Sequence, residues 1–233
     1  MKKTKVALFD IDGTVYEDYT IFPLAEYQLR KKIINKSCLD ELYKDLKFYK
    51  TGRLDYETSV ANLLIHWAKG LKEVSYKMVL GQAKRFFEGE GNKFFPFFKP
   101  VVALLEKKYD IYFVTAGPRF VAQASSELYK ITGFISSELE TKDGFFTGRV
   151  RISLAKREEK RVAIKKLLRG HDTKHSFAFG DAEGDIEMLN SVEFPICINP
   201  TLGLREIAIR KNWQIIKPEG VEKIVSTLIS NRS

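Results

Sequence analysis

Cysteine is nearly absent: Cys38 and Cys197 are the only two in 233 residues. They are too few and too far apart for a disulfide framework or a thiolate metal site, and this scarcity leads us to expect a reducing, cytoplasmic setting. Histidine is equally sparse, with His66, His171 and His175 in no metal-type spacing. His66, between Ile65 and Trp67 in a helical stretch, reads as a core or boundary residue, and Cys197, between Ile196 and Ile198, as a small core residue. No apolar run approaches the roughly 18 residues of a spanning helix, so no membrane span is expected. The chain enters an apolar stretch within a few residues of Met1, so no signal peptide is expected. There are no internal repeats and no low-complexity segments. With 44% apolar and 30% charged residues, the chain has the make-up of a folded globular protein rather than a disordered one.

Positive charge is in excess, with 39 Lys and Arg against 30 Asp and Glu, a net charge of +9. The basic residues are scattered through Lys31-Lys32, Lys107-Lys108, Lys165-Lys166 and Arg210-Lys211 without a long block. Dispersed surface lysine explains most of this. An anionic partner (a small phosphorylated molecule, an anionic lipid or nucleic acid) is permitted but not named.

The organising stretch is Lys5-Val6-Ala7-Leu8-Phe9-Asp10-Ile11-Asp12-Gly13-Thr14. Val6 to Phe9 reads as a buried strand of a parallel sheet, because it is apolar without alternation. Asp10 and Asp12 then project at the carboxyl end of that strand, where open α/β sheets place their ligands. An EF-hand loop is excluded, since it wants an acid or amide at Thr14 and a glycine where Val15 stands.

Helical spacing follows over Phe22 to Ile34, Leu39 to Tyr49, Tyr56 to Leu71 and Val74 to Phe87, with Asp55 in N-cap position for the third. We expect this run of about 70 residues to be a helical bundle cap inserted into an α/β core. The cap is residues 16–89, and the core is 1–15 with 90–233. Its aromatics (Tyr16, Tyr19, Phe22, Tyr27, Phe86 and Phe87) should be mostly core between helices, with one or two near Asp12 facing substrate. Gly89-Glu90-Gly91-Asn92 marks the exit and is not a dinucleotide fingerprint.

Beyond it, helices over Pro96 to Lys108, Phe120 to Tyr129, Glu158 to Arg169, Ile186 to Leu189, Leu204 to Arg210 and Val221 to Ile229 alternate with strands. The strands are Tyr109 to Thr115, Ser176 to Gly180, Phe194 to Ile198 and Gln214 to Ile216. Phe134 to Glu140 and Phe145 to Val150 form a hairpin about an Asp143-Gly144 turn. The alternation predicts a doubly wound, Rossmann-like, mostly parallel sheet.

Three strands therefore end in polar residues: Asp10 and Asp12, Thr115, and Asp181 with Asp185. Parallel strands bring these to one sheet edge. Carboxylates converging there need a counter-charge, and a hard divalent cation such as Mg²⁺, with room for waters and phosphate, supplies it. An ionised carboxylate can attack phosphorus once that repulsion is offset, and a second can protonate the leaving alcohol. Thr115, with the backbone N–H groups through Ala116 and Gly117, can hold phosphate oxygens.

By four motifs in order the chain resembles the haloacid-dehalogenase superfamily of phosphohydrolases. Asp10-Ile11-Asp12-Gly13-Thr14 is similar to the first motif, Thr115 to the second, Lys160 to the motif lysine, and Gly180-Asp181-Ala182-Glu183-Gly184-Asp185 to the fourth. The branch most resembled is the phosphoserine-phosphatase-like subfamily IB. The resemblance implies Asp10 as nucleophile, Asp12 as general acid and base, and Thr115 with Lys160 on the phosphoryl group. It also implies Mg²⁺ held by Asp10, the backbone carbonyl of Asp12, Asp181 and Asp185, the last as a ligand or just behind one. Lys156 is the alternative to Lys160.

The substrate implied is a small phosphorylated metabolite. A lipid or nucleic acid phosphate, or a binding protein without turnover, are the alternatives. Phosphoserine fits poorly, because Tyr19 stands where that subfamily has a glutamate and Ala61 and Leu63 where arginines are expected. Gly184 replaces an asparagine. Cap opening would pivot where the chain crosses near Val15 and near Gly89 to Asn92.

Overall fold

The computed structural model describes residues 3–230. Seven strands form one sheet: β1 (Thr4–Phe9), β2 (Tyr109–Pro118), β3 (Gly133–Lys142), β4 (Phe145–Ile152), β5 (His171–Gly180), β6 (Phe194–Ile198) and β7 (Gln214–Ile216). Their order is β4-β3-β2-β1-β5-β6-β7. Every pair is parallel except β3 with β4, the edge hairpin. The chain runs outward from β1 in both directions, so the polarity switch lies at β1, where α/β sheets open a crevice at the strands' carboxyl ends.

Both faces of the sheet are covered, which is why β1 is apolar and buried from Val6 to Phe9. Val6 and Leu8 pack on one face with Ile164 of α7 (Arg157–Leu168), Met188 of α8 (Ile186–Leu189) and Leu204 of α9 (Leu202–Arg210). Ala7 and Phe9 face the other side, with α5 (Phe98–Leu105), α6 (Arg119–Tyr129) and α10 (Val221–Ser230). Phe9 stacks on Phe179 at 4.2 Å between ring centroids and meets Phe98 edge-on at 5.3 Å. Aromatic pairs of this kind add about 0.5–1.5 kcal/mol each beyond the area they bury.

Four helices lie between β1 and α5: α1 (Ile21–Arg30), α2 (Lys36–Lys50), α3 (Tyr56–Gly70) and α4 (Tyr76–Glu88). Asp55 accepts from the Thr58 amide at 2.9 Å and caps α3. The first helix stops at Arg30, four residues short of the expected Ile34. Lys32 adopts a left-handed φ of 57° and Asn35 caps α2 by accepting from the Cys38 amide at 2.9 Å. A periodic apolar residue at Ile34 hides that break. His66 lies 3.2 Å from Asp45 across α2 and α3, and Cys197 is fully buried.

Strand β5 begins five residues before the expected Ser176, because His171 and Asp172 of its polar opening pair with Thr4 and Lys5 at the start of β1. Between them the register shifts, and the Ser176 hydroxyl accepts from the Val6 amide at 2.9 Å to fill the gap.

The four inserted helices are fastened to the core at more than the two chain crossings. The crossings themselves pair, with the Glu17 amide donating to Lys93 at 2.9 Å and the Phe95 amide to Val15 at 2.9 Å. At the far end the α3–α4 turn meets the hairpin. The Glu73 amide donates to Phe146 at 2.8 Å, the Phe146 amide to Val74 at 3.0 Å, and the Tyr76 amide to Gly144 at 2.9 Å. Trp67 of α3 packs edge-on against Phe120 of α6 at 5.0 Å. A motion pivoting on the crossings alone would have to break this second seam. Among the described residues no helix is long and apolar enough to cross a membrane.

Candidate active site

Strand β1 ends at Phe9, and the next residue, Asp10, is 8% exposed at the strand's carboxyl end. The chain then turns sharply, with the Ile11 carbonyl accepting from the Thr14, Val15 and Tyr16 amides. Gly13 sits in this turn at φ 77°, and a Cβ there would lie 2.2 Å from Asp181 Oδ2. Only glycine therefore lets the first acidic loop close on the β5 loop. Thr14 completes that contact by donating its hydroxyl to Asp181 Oδ1 at 2.8 Å.

The two aspartates of this loop face different partners. Asp10 Oδ1 lies 3.2 Å from the Lys160 ammonium, whereas Asp12 Oδ1 accepts from the Thr20 amide at 2.5 Å. Lys160 is 4% exposed, in the first turn of α7, and its ammonium also reaches Asp185 Oδ1 at 2.7 Å. Lys156 is exposed one turn earlier, outside this cluster. Asp185 is also tied through Oδ2, which accepts from the Asp181 and Ala182 amides at 3.1 and 3.2 Å. Its carboxylate thus ties α7 to the β5 loop. Gly180 keeps this approach open, since a Cβ there would lie 2.5 Å from the Asp185 Cβ. Thr115, 1% exposed in β2, which runs three residues past the expected end there to Pro118, accepts from the Gly117 amide at 2.9 Å through its hydroxyl. Ala116 and Gly117 line the cleft beside it.

Oxygen atoms of Asp10, Asp181 and Asp185 all lie within 4.8 Å of one another. Burial first, then the neighbouring Asp185, pushes Asp10 and Asp181 well above the usual carboxylate range. Burial lowers the Lys160 ammonium, but Asp185 and Asp10 more than reverse this and hold it protonated. One ammonium cannot neutralise so many acids. Crowded hard oxygen donors of this kind suit a divalent cation of the Mg²⁺ type. The Asp12 side chain lies outside the three-acid group and turns to Thr20. Burial raises it to about 6, partly offset by the Thr20 amide.

Three contributors carry no obvious sequence signal. Thr20 supplies the amide that orients Asp12. Thr201 donates its amide to the Asp181 carbonyl at 2.9 Å and lines the cleft. Tyr56, the first residue of α3, lies over Gly184, whose Cβ would come within 3.3 Å of its ring. The aromatic fills space that a side chain at position 184 would need. Only the departure at Gly184 pointed here. Of the residues singled out for substrate, Tyr19 and Leu63 line the cleft, as does the aromatic Phe22, whereas Ala61 does not. His171 bonds to Leu167 and Asp110 at 3.0 and 3.2 Å, away from the site.

The chain is similar to known proteins over most of its length. A phosphoserine phosphatase of Mycobacterium tuberculosis is 24% identical over 218 residues, covering 91% of this chain and 70% of its own. A histidinol-phosphatase of Neisseria meningitidis is 23% identical over 226 residues, covering 91% and 97%. A phosphoserine phosphatase of Methanocaldococcus jannaschii is 25% identical over 205 residues, covering 86% and 89%. Among solved structures, a Bordetella pertussis protein of unknown function superposes with a TM-score of 0.76 at 24% identity, covering 93% of this chain and 100% of that one. A phospho-aspartyl intermediate analogue of phosphoserine phosphatase superposes with a TM-score of 0.62 at 22% identity, covering 92% and 93%. The family model for haloacid dehalogenase-like hydrolases matches residues 7–190, from β1 to just past Asp185, and the chain belongs to that family.

Proposed function

We propose that this protein is a Mg²⁺-dependent phosphomonoesterase that works through a phosphorylated Asp10. The observation that carries the reading is the division of labour between Asp10 and Asp12. One carboxylate faces a buried ammonium and the acid cluster, and the other, two residues on, faces the cleft with its acidity lowered. Asp10, Asp181 and Asp185, with the Asp12 backbone carbonyl, would hold Mg²⁺. When bound, the ion offsets repulsion between phosphate and carboxylate and withdraws charge from the phosphoryl oxygens.

Lys160 and the hydroxyl and amides of Thr115 to Gly117 would hold the same oxygens. Asp10 attacks phosphorus while the bond to the leaving alcohol breaks. Asp12, whose pKa is raised to about 6 so that a minority of molecules carry its proton at neutral pH and most do below pH 6, gives that proton to the departing oxygen. The resulting Asp12 carboxylate then takes a proton from water as that water attacks phosphorus, and the Asp10–phosphorus bond breaks. Tertiary contacts that fix Asp12 against Thr20 hold this proton carrier in place for both steps.

The test is phosphate release from p-nitrophenyl phosphate with Mg²⁺ and with chelator. Replacing Asp10 by asparagine is expected to reduce turnover by about 10³-fold or more with the fold intact. Turnover by Asp10→Asn within tenfold of the parent would refute the assignment of the nucleophile.

A further inference from the structure

We infer that the phosphomonoester accepted here has an uncharged, apolar body, an aromatic ring or a short aliphatic chain, in place of an amino-acid head. This rests on the phosphatase reading above and specifies its substrate class. The cleft has two sides of opposite character. Asp10, Asp12, Asp181 and Asp185 lie on the core side, where the phosphate and its cation belong. Opposite them, the helices of the insertion present Phe22 from α1, Leu46 and Tyr49 from α2, and Val60, Leu63 and Leu64 from α3.

Among the described residues that line the cleft, none is a lysine, arginine, histidine or glutamate. Lys160 is turned to Asp10 and Asp185 and buried there. An ammonium and a carboxylate on one small substrate would each need a partner of opposite sign. No cation on the insertion side meets the carboxylate, and the acids that would meet the ammonium are those committed to the phosphate end. Placing either charge against this hydrocarbon wall exchanges water for nothing. A ring or alkyl chain, by contrast, gains from every apolar contact there. The polar atoms on that wall are hydroxyls, including those of Tyr49 and Ser59, which suit at most a neutral hydroxyl on the substrate.

The experiment compares four phosphate esters of primary alcohols on the full chain with Mg²⁺: benzyl phosphate, hexyl phosphate, phosphoserine and phosphoethanolamine, with p-nitrophenyl phosphate as the control for turnover. The expected result is a kcat/KM for benzyl or hexyl phosphate about tenfold or more above those for the two charged substrates, expressed mainly in KM. The benzyl-to-hexyl ratio separates an aromatic from an aliphatic body.

Leu63→Asp should narrow the ratio of benzyl phosphate to phosphoethanolamine by about tenfold. Benzylphosphonate should inhibit the parent protein more strongly than the phosphonate analogue of phosphoserine, a measurement independent of how the variant folds. Phosphoserine turned over as efficiently as benzyl phosphate would overturn the inference and leave the phosphatase reading standing. No phosphate from any substrate, p-nitrophenyl phosphate included, would overturn both.

Discussion

Replacing Lys160 by methionine isolates the electrostatics of the site. The ammonium lies 2.7 Å from Asp185 and 3.2 Å from Asp10, with only 4% of the lysine exposed. Methionine keeps most of the stem's packing but leaves the carboxylates without their cation. Breaking a buried ion pair by removing one partner costs about 3–5 kcal/mol, because the remaining charge stays desolvated. For a chain of this size each kcal/mol shifts the midpoint by about 2–4 °C, so Tm in EDTA at pH 7.5 is expected to fall by roughly 10 °C.

The deficit should depend on pH in a stated direction. Asp10 has a folded pKa raised above its unfolded value, and removing the ammonium raises it further. A carboxyl of that kind holds its proton more tightly when folded, so stability is highest below the unfolded pKa and falls as pH rises through the folded one. The Lys160→Met deficit should therefore be small at pH 4.5 and full at pH 7.5. Mg²⁺ should restore more stability to the variant than to the parent, since the ion and the ammonium neutralise the same acids. The assay is thermal unfolding at both pH values, with EDTA or with Mg²⁺. A variant matching the parent in EDTA at pH 7.5, or a deficit independent of pH and Mg²⁺, would refute the placement of this charge cluster.

Two further substitutions address its neighbours. Asp12 is raised from 3.8 to about 6, chiefly by burial, so its ionisation costs the folded state stability as pH rises from about 4 to 6. Asp12→Asn keeps an acceptor for the Thr20 amide and removes that cost. In EDTA it should match the parent near pH 4 and exceed it by up to about 3 kcal/mol at pH 7, measured by urea denaturation. No gain at pH 7 would contradict the raised pKa. Gly13→Ala places a Cβ within 2.2 Å of Asp181 Oδ2 at φ 77°, so Asp181 must move. Activity should fall by about 10²-fold and the Mg²⁺ concentration for half-maximal rate should rise; parental Mg²⁺ dependence would show that Asp181 holds no metal.

The parallel core was legible because its strands are apolar runs that break into polar residues. The same feature that made β1 readable, burial on both faces, placed Asp10 and Asp12 at its end. The hairpin was legible from Asp143-Gly144. The break between α1 and α2 was not, since Ile34 continues the helical period while Lys32 leaves it. The polar opening of β5 was hidden too, because its strand character comes from pairing with β1 rather than from its own residues.

The order of strand, acidic loop, helical insertion and further acidic loop is determined by the sequence alone, because apolar period and turn chemistry are local properties. So are the identities of Asp10, Asp12, Thr115, Lys160, Asp181 and Asp185 as candidates. Only the tertiary structure decided that Asp12 faces Thr20 while Asp10 faces Lys160, and that Gly13 makes room for Asp181. It alone set Tyr56 over Gly184, lined the cleft with Phe22, Leu46 and Leu63, and tied the α3–α4 turn to the hairpin. Each of these joins residues far apart in the chain or turns neighbouring ones to different partners. Side-chain direction at close range is set by what the folded chain packs against it, which no local pattern encodes.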